Sequence, residues 1–157
     1  MRRVMTSTVL AALAWWAGPG LLKAQEPVSS RRSVWDRVYT DAQAERGERL
    51  YVRHCEQCHG SGLEGDTVSE VPALAGDPFL QRWSGRTVDE LVVRMVRSMP
   101  EPTPGSLSRS EYVDLTAYML KANRFPSGFE AMGTDAERLR PLVIERTPSG
   151  AKGSNGK

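Results

Sequence analysis

Cys55-Glu56-Gln57-Cys58-His59 is the most informative stretch of this chain. Two thiols three positions apart lie on one face of a helical turn, where both can add to the vinyl groups of one porphyrin. The histidine follows about one turn beyond the first cysteine, so its imidazole can reach an iron held between the two anchors. The pattern C-x-x-C-H is the attachment signature of c-type haem. It predicts Cys55 and Cys58 as the thioether anchors and His59 as the proximal iron ligand.

Three other interpretations of the motif compete with haem. A thioredoxin-like C-x-x-C needs a surrounding βαβ pattern, and no alternating strand pattern precedes Cys55. A zinc site needs a second pair of ligands, but the only two cysteines and the only two histidines of the chain lie between His54 and His59. A disulfide between the two cysteines leaves His59 without a role. Haem attachment is therefore favoured.

The first 24 residues have the composition of an export signal. Arg2 and Arg3 form a charged start, residues 4–17 are apolar, and a small residue, Ala24, precedes the expected cleavage point. A retained membrane anchor is the alternative, but the apolar run falls short of the roughly 20 residues that span hydrocarbon. We expect cleavage, export to the periplasm and no stable membrane span in the mature protein.

The charge of the chain gives no argument for a nucleic-acid partner. The full sequence contains 21 Lys and Arg against 19 Asp and Glu. Removal of residues 1–24 takes away three of these bases and no acid, so the mature chain is close to neutral. Neither nucleic acid nor an anionic membrane is favoured as a partner.

Three helix starts are marked by a Ser or Thr with Gln or Glu three positions later, the pattern of a capping box. They are Thr40, Thr87 and Ser108. The first predicted helix ends at the cysteine motif and contains Gly47, whose cost in a helix indicates close approach of another backbone. The second ends before Met99-Pro100, because proline disfavours helical geometry in the preceding residue.

The remaining segments are read from their composition. The stretch from Gly60 to Gly85 is rich in glycine and proline, and we expect it to be a loop. We predict a flexible leader over residues 25–35, a folded domain over residues 36–126 and an extension over residues 127–157. The last helix is expected to stop at Pro126, and the extension to be disordered from about residue 146, where little remains to bury.

The order of these features resembles the class I cytochrome c family over roughly residues 40–125. A helix leads to C-x-x-C-H, then to a glycine-rich loop, a middle helix, Met99-Pro100 and a terminal helix with Ala117-Tyr118. The resemblance implies an all-α fold of about three to five helices wrapped around one covalently attached haem c. The Met-Pro and Ala-Tyr pairs, with the segment 104–108, look like those of monohaem cytochromes associated with periplasmic quinoprotein dehydrogenases.

The resemblance also assigns roles to single residues. Met99 would be the distal iron ligand, because it lies past its helix, where a loop can aim its sulfur; Met95 or Met119, in helices, would be core filler. Pro72 would accept the imidazole N–H through its carbonyl, and Leu74 would pack on the ring. Trp83 would either donate to a haem propionate or pack in the core. Gly47 and Tyr51 resemble contact points for the terminal helix, at Leu115 and Tyr118.

These assignments predict a periplasmic carrier that moves one electron at a time, with other redox proteins as partners. The resemblance points to a periplasmic quinoprotein dehydrogenase as donor and a terminal oxidase or another cytochrome as acceptor. No pair of residues looks like a general acid and base, so we do not expect an enzyme. Two alternatives remain open: a peroxidase-like haem enzyme or gas sensor with an open distal site, and the electron-entry subunit of a dehydrogenase or oxidase complex.

Overall fold

The computed structural model describes residues 30–148, and its fold is all-α, as predicted. Residues 1–24, the predicted signal, lie outside the described part, as does the end of the tail. No helix within residues 30–148 is long and apolar enough to cross a membrane. The elements in chain order are β1 (Arg32–Ser33), α1 (Asp41–His54), α2 (Glu56–His59), α3 (Gly76–Trp83), α4 (Val88–Ser98), α5 (Arg109–Ala122), α6 (Ala136–Leu139) and β2 (Leu142–Val143).

The three helix starts predicted from the sequence are confirmed. Thr40, Thr87 and Ser108 are the N-caps of α1, α4 and α5, and each forms a reciprocal capping box with the residue three positions on. Each box satisfies two backbone N–H groups that a helix start would otherwise leave without a partner. Helix α4 ends at Ser98, so Met99 lies just past the helix, as expected.

The end of α5 differs from the prediction that Pro126 stops it. The helix ends at Ala122, and Arg124 takes the left-handed conformation, with φ 65°. The N–H of Arg124 donates to Lys121 O and that of Phe125 to Leu120 O. This pair of hydrogen bonds is a Schellman motif, in which arginine takes the position that glycine usually holds. The sequence carries no glycine there to mark the stop.

Helices α1 and α5 form the centre of the fold, and Gly47 permits their close contact. A Cβ at Gly47 would collide with the backbone carbonyl of Asp114 and lie 2.9 Å from Cβ of Tyr118. The rings of Tyr51 and Tyr118 pack with their centres 5.3 Å apart. Arg46 makes a bidentate ion pair with Asp114, at 2.7 and 2.8 Å. The close backbone approach expected from Gly47 is therefore confirmed.

Helix α3 lies inside the segment expected to be a loop. It buries Phe79 and Trp83, four positions apart on one helical face. Its N-cap, Ala75, provides no side-chain hydrogen bond. The side-chain oxygen of Asn123, at the end of α5, instead accepts from the N–H of Gly76 at 2.9 Å. The cap comes from a residue distant in sequence, so the local pattern could not show it.

The folded unit is wider than the predicted domain of residues 36–126. Strand β1, within the predicted flexible leader, pairs in parallel with β2, within the predicted extension. Val34 and Ile144 are fully buried in the same core as the helices. Residues 30–35 and 127–145 thus belong to the domain. Strands of two residues have no periodicity that a sequence reading could detect.

Ion pairs attach the extension to the helices. Asp89, on the first turn of α4, has a largely buried carboxylate that lies 2.8 Å from Arg109 Nη2 and 3.5 Å from Arg140 Nε. Arg109 also donates to the backbone carbonyl of Thr134 at 2.5 Å. Arg146, where disorder was expected to begin, pairs with Asp77 at 2.9 Å. Residues 149–157 of that tail lie outside the described residues.

Candidate functional site

The C-x-x-C-H motif occupies a separate helical turn at the end of α1. Cys55 is the junction between α1 and α2, with φ −130°, and its N–H still donates to Tyr51 O. Its carbonyl accepts from the N–H of Cys58 at 3.1 Å and from that of His59 at 2.9 Å. These bonds bring both thiols and the imidazole into one turn. The cysteines are free thiols; Cys58 is exposed and Cys55 is half-buried.

His59 is buried, and one of its ring nitrogens is already engaged. Its Nδ1 lies 2.9 Å from the carbonyl oxygen of Pro72, and only 5% of the residue is exposed. A carbonyl can only accept, so this contact favours the tautomer with the proton on Nδ1. Nε2 then keeps its lone pair. A histidine that binds a metal is usually oriented by this kind of hydrogen bond at its other nitrogen.

The loop that carries Pro72 is held close to the motif by backbone hydrogen bonds. The N–H of Gly65 donates to His59 O at 2.8 Å, and the N–H of Leu74 donates to Leu63 O at 2.8 Å. Gly65 has φ 66°, and a Cβ there would collide with the backbone of Val71. This glycine is needed both for its conformation and for space, because it lets the chain turn back and place Pro72 against His59.

The residue after His59 is held by a tyrosine. The hydroxyl of Tyr51, on α1, donates to the carbonyl of Gly60 at 2.5 Å. The pKa of Tyr51 is raised well above its ordinary value, mainly by burial. The phenol therefore remains a hydrogen-bond donor at neutral and moderately alkaline pH. Gly60 itself takes φ 79°. The turn that contains His59 is therefore also held at the residue that follows it.

Met99 is the C-cap residue of α4 and has extended backbone dihedrals. Its N–H donates to Met95 O at 2.7 Å. Its carbonyl accepts from the hydroxyl of Tyr112 at 2.7 Å and from the N–H of Gly105 at 3.3 Å. The Met99–Pro100 peptide is cis, and the Met99 residue is half-buried. Of the two other methionines considered, Met95 is half-buried on α4 and Met119 is buried in the core on α5.

Leu74 borders the core, and Trp83 is part of it. Leu74 is half-buried and packs against it, and its carbonyl accepts from the side-chain amide of Asn123 at 3.0 Å. Trp83 is 7% exposed, and the guanidinium of Arg86 lies 5.6 Å from its ring centre. Trp83 therefore has a packing role in α3, and its contact with a haem propionate stays a prediction.

Burial also affects the thiol of Cys55. It raises the pKa of Cys55 to about 11, with a smaller contribution from Cys58. At neutral pH the side chain of Cys55 is therefore protonated, and a protonated thiol is a weak nucleophile. The two cysteines of the motif thus differ in environment.

Sequence reasoning did not predict the tyrosine hydroxyl contacts at Gly60 and Met99. Tyr51 was assigned to a contact with the terminal helix, which concerns its ring. The available signal was the residue type: a tyrosine in an apolar helical stripe has a hydroxyl that must find a partner when buried. Which carbonyl it would reach depends on the tertiary fold.

The residues present fit a haem. Two free thiols, a buried imidazole with one nitrogen available and a methionine past a helix end form a donor set of soft sulfur and neutral nitrogen. Within residues 30–148 there is no group of three or more His, Cys, Asp or Glu that could hold another metal ion. A groove of about 440 Å³ lies between β1 and the segment 128–142, and its lining includes neither the two cysteines nor His59 nor Met99. The fold and this turn together define an all-α cytochrome of the c type.

A comparison with models of known protein families agrees with this class. Residues 42–119, about half of the chain, match the family model described as Cytochrome C oxidase, cbb3-type, subunit III. No curated protein matches the chain. Among solved structures, the sulfane dehydrogenase SoxCD from Paracoccus pantotrophus is similar at 23% identity and a TM-score of 0.41. That match covers 58% of this chain and 53% of the other, so the chain spans about half the length of that protein.

The chain carries a class I cytochrome c domain, which implies haem c and haem-based electron transfer.

Proposed function

We propose that this protein carries one electron at a time on a single haem c, which is anchored by Cys55 and Cys58 and ligated by His59 and Met99. The observation that carries the proposal is the contact between His59 Nδ1 and Pro72 O, at 2.9 Å. It orients a buried imidazole directly after C-x-x-C and leaves its second nitrogen free to bind iron.

When bound, the haem supplies an iron that alternates between the ferric and ferrous states. The task of the chain would be to keep the two side chains that hold the iron, His59 and Met99, in place in either state. His59 is fixed through Pro72, and Met99 is fixed at its backbone N–H and carbonyl. The thioether of Met99, as a ligand, would favour ferrous iron and so would raise the reduction potential. These features suit a carrier better than an enzyme.

The proposed location is the periplasm, after cleavage of residues 1–24. The sequence pattern of that segment supports export, and we propose that haem attachment takes place outside the cytoplasm. Other redox proteins are the proposed partners, with a quinoprotein dehydrogenase as donor and a terminal oxidase or another cytochrome as acceptor. The matched family bears the name of an oxidase subunit, which supports an oxidase on the acceptor side. Co-purification would distinguish a free carrier from a complex subunit.

Carbon monoxide distinguishes a carrier from an enzyme or sensor. We expect the protein, produced in a host that matures cytochromes, to undergo reversible one-electron reduction and, when reduced, to bind carbon monoxide poorly. The reason is that Met99 would occupy the sixth coordination position. Optical titration of the ferrous protein measures this. Avid binding by the unmodified protein would contradict Met99 ligation and support an open distal site, as in a peroxidase-like enzyme or a gas sensor.

A further inference from the structure

Three of the four tyrosines of the chain are almost completely buried and donate a hydrogen bond to a backbone carbonyl. Tyr39 donates to Phe125 O at 2.6 Å, Tyr51 to Gly60 O at 2.5 Å and Tyr112 to Met99 O at 2.7 Å. Each of the three residues is 1% exposed. They are therefore chemically equivalent hydrogen bonds at three different places in the fold, and only that of Tyr112 reaches a proposed iron ligand.

The loop that follows Met99 has little else to hold it. Residues 101–106 are exposed, and the hydrogen bonds of residues 100–106 stay within the segment 99–106. Gly105 donates to the Met99 carbonyl at 3.3 Å, and Thr103 and Ser106 make local turn bonds. The Tyr112 hydroxyl, by contrast, comes from α5. It is a short bond from a separate helix to the backbone of the ligand residue itself.

Helix α5 is a rigid base for this contact. It packs against α1 at Gly47, where the backbones meet without room for a side chain. The ring of Tyr112 is enclosed in the core near the capped start of α5. Any shift of the Met99 carbonyl would have to break this partly buried bond and leave the hydroxyl of the buried Tyr112 without that partner, which is unfavourable.

We propose that Tyr112 is a positioning residue, which fixes the backbone of Met99 and so holds the thioether where it can bind iron. The inference rests on the proposed His59 and Met99 ligation and deepens it. Tyr112 acts through Met99 and has no part in the electron transfer itself. Loss of its hydroxyl should release the ligand loop while the helices stay folded.

The test uses the haem-loaded protein and two matched variants. Tyr112→Phe keeps the ring and removes only the hydroxyl. Tyr39→Phe removes the same kind of buried hydrogen bond at Phe125, away from both proposed ligands. For each protein we would follow the charge-transfer band of Met-ligated ferric haem against temperature, global unfolding by far-ultraviolet circular dichroism, and the rate of carbon monoxide binding to the ferrous form.

In Tyr112→Phe we expect the charge-transfer band to disappear at a lower temperature than the helical signal. Carbon monoxide should bind roughly 5- to 10-fold faster than in the unmodified protein, which is the change in rate that the loss of one hydrogen bond implies. In Tyr39→Phe the band and the helical signal should disappear together, and the carbon monoxide rate should be unchanged. If the two variants behave alike, Tyr112 is only a structural residue and the inference is wrong.

Two further outcomes keep the inference separate from the proposed function. A wild-type protein without the band would overturn Met99 ligation and, with it, the positioning role. A wild-type band that Tyr112→Phe leaves unchanged would overturn the positioning role alone. If Tyr112→Phe does not fold, amide hydrogen exchange in the unmodified protein provides the test. The Gly105 N–H donates to the same Met99 carbonyl and should exchange as slowly as the amides of α5. If the Gly105 N–H exchanges as fast as the N–H of Thr103, the inference is wrong.

Discussion

Replacement of both Cys55 and Cys58 with alanine is expected to give a chain that retains no haem after denaturation and has no cooperative unfolding transition. Burial of a porphyrin in the core contributes on the order of 10 kcal/mol of apolar transfer free energy. That is comparable with the whole stability of a domain, about 5–15 kcal/mol. The contact of α1 with α5 should preserve part of the helical signal, whereas the loop that carries Pro72 should become sensitive to protease.

The matched control for the double variant is Gln57→Ala. Gln57 is the exposed residue between the two cysteines, so its replacement keeps both thiols and should leave haem content and the unfolding midpoint unchanged. Thermal unfolding followed by near-ultraviolet circular dichroism measures the effect. A cooperative transition of undiminished midpoint in the Cys55→Ala, Cys58→Ala variant would show that the haem is not part of the core.

Met99→Ala is expected to abolish the charge-transfer band of Met-ligated haem, to lower the reduction potential by on the order of 100 mV and to admit carbon monoxide to the ferrous form. A thioether is a soft ligand that favours ferrous iron, so its loss both destabilises that state and opens the sixth position. Weak peroxidase activity should appear for the same reason. Spectroelectrochemical titration measures the potential, and optical titration measures carbon monoxide binding.

The controls for this variant are the two other methionines considered as ligands. Met119 is buried on α5, so Met119→Ala should cost about 2–5 kcal/mol of stability. Met95 is half-buried on α4, so Met95→Ala should cost less. Both variants should keep the band. If Met99→Ala leaves the spectrum intact, another residue ligates the iron.

The sequence predicted those parts of the molecule that depend on local chemistry. Thr40, Thr87 and Ser108 were recognisable as helix starts because a capping box lies within four residues of chain. Gly47 was recognisable because glycine in a helix interior is unfavourable unless a second backbone lies close. The contact of Pro72 with His59 was expected from a family resemblance, and it joins residues 13 positions apart that no local pattern connects.

The parts that were not predicted depend on residues distant in the chain. The start of α3 is capped by Asn123, 47 positions away, and β1 is completed by β2, which lies at the far end of the domain. The carbonyl that Tyr112 reaches is set by how α5 lies against the end of α4. In each case the partner becomes apparent only when the helices have packed.

The most direct test of the central claim is the intact mass of the purified protein under denaturing conditions, after acid and organic extraction. The protein should be produced in a host that matures c-type cytochromes. We expect the polypeptide to retain the mass of one haem and to have no free thiol, because both cysteines of the chain would be thioether anchors. A polypeptide without added mass, with two free thiols or a simple disulfide between Cys55 and Cys58, would contradict the account.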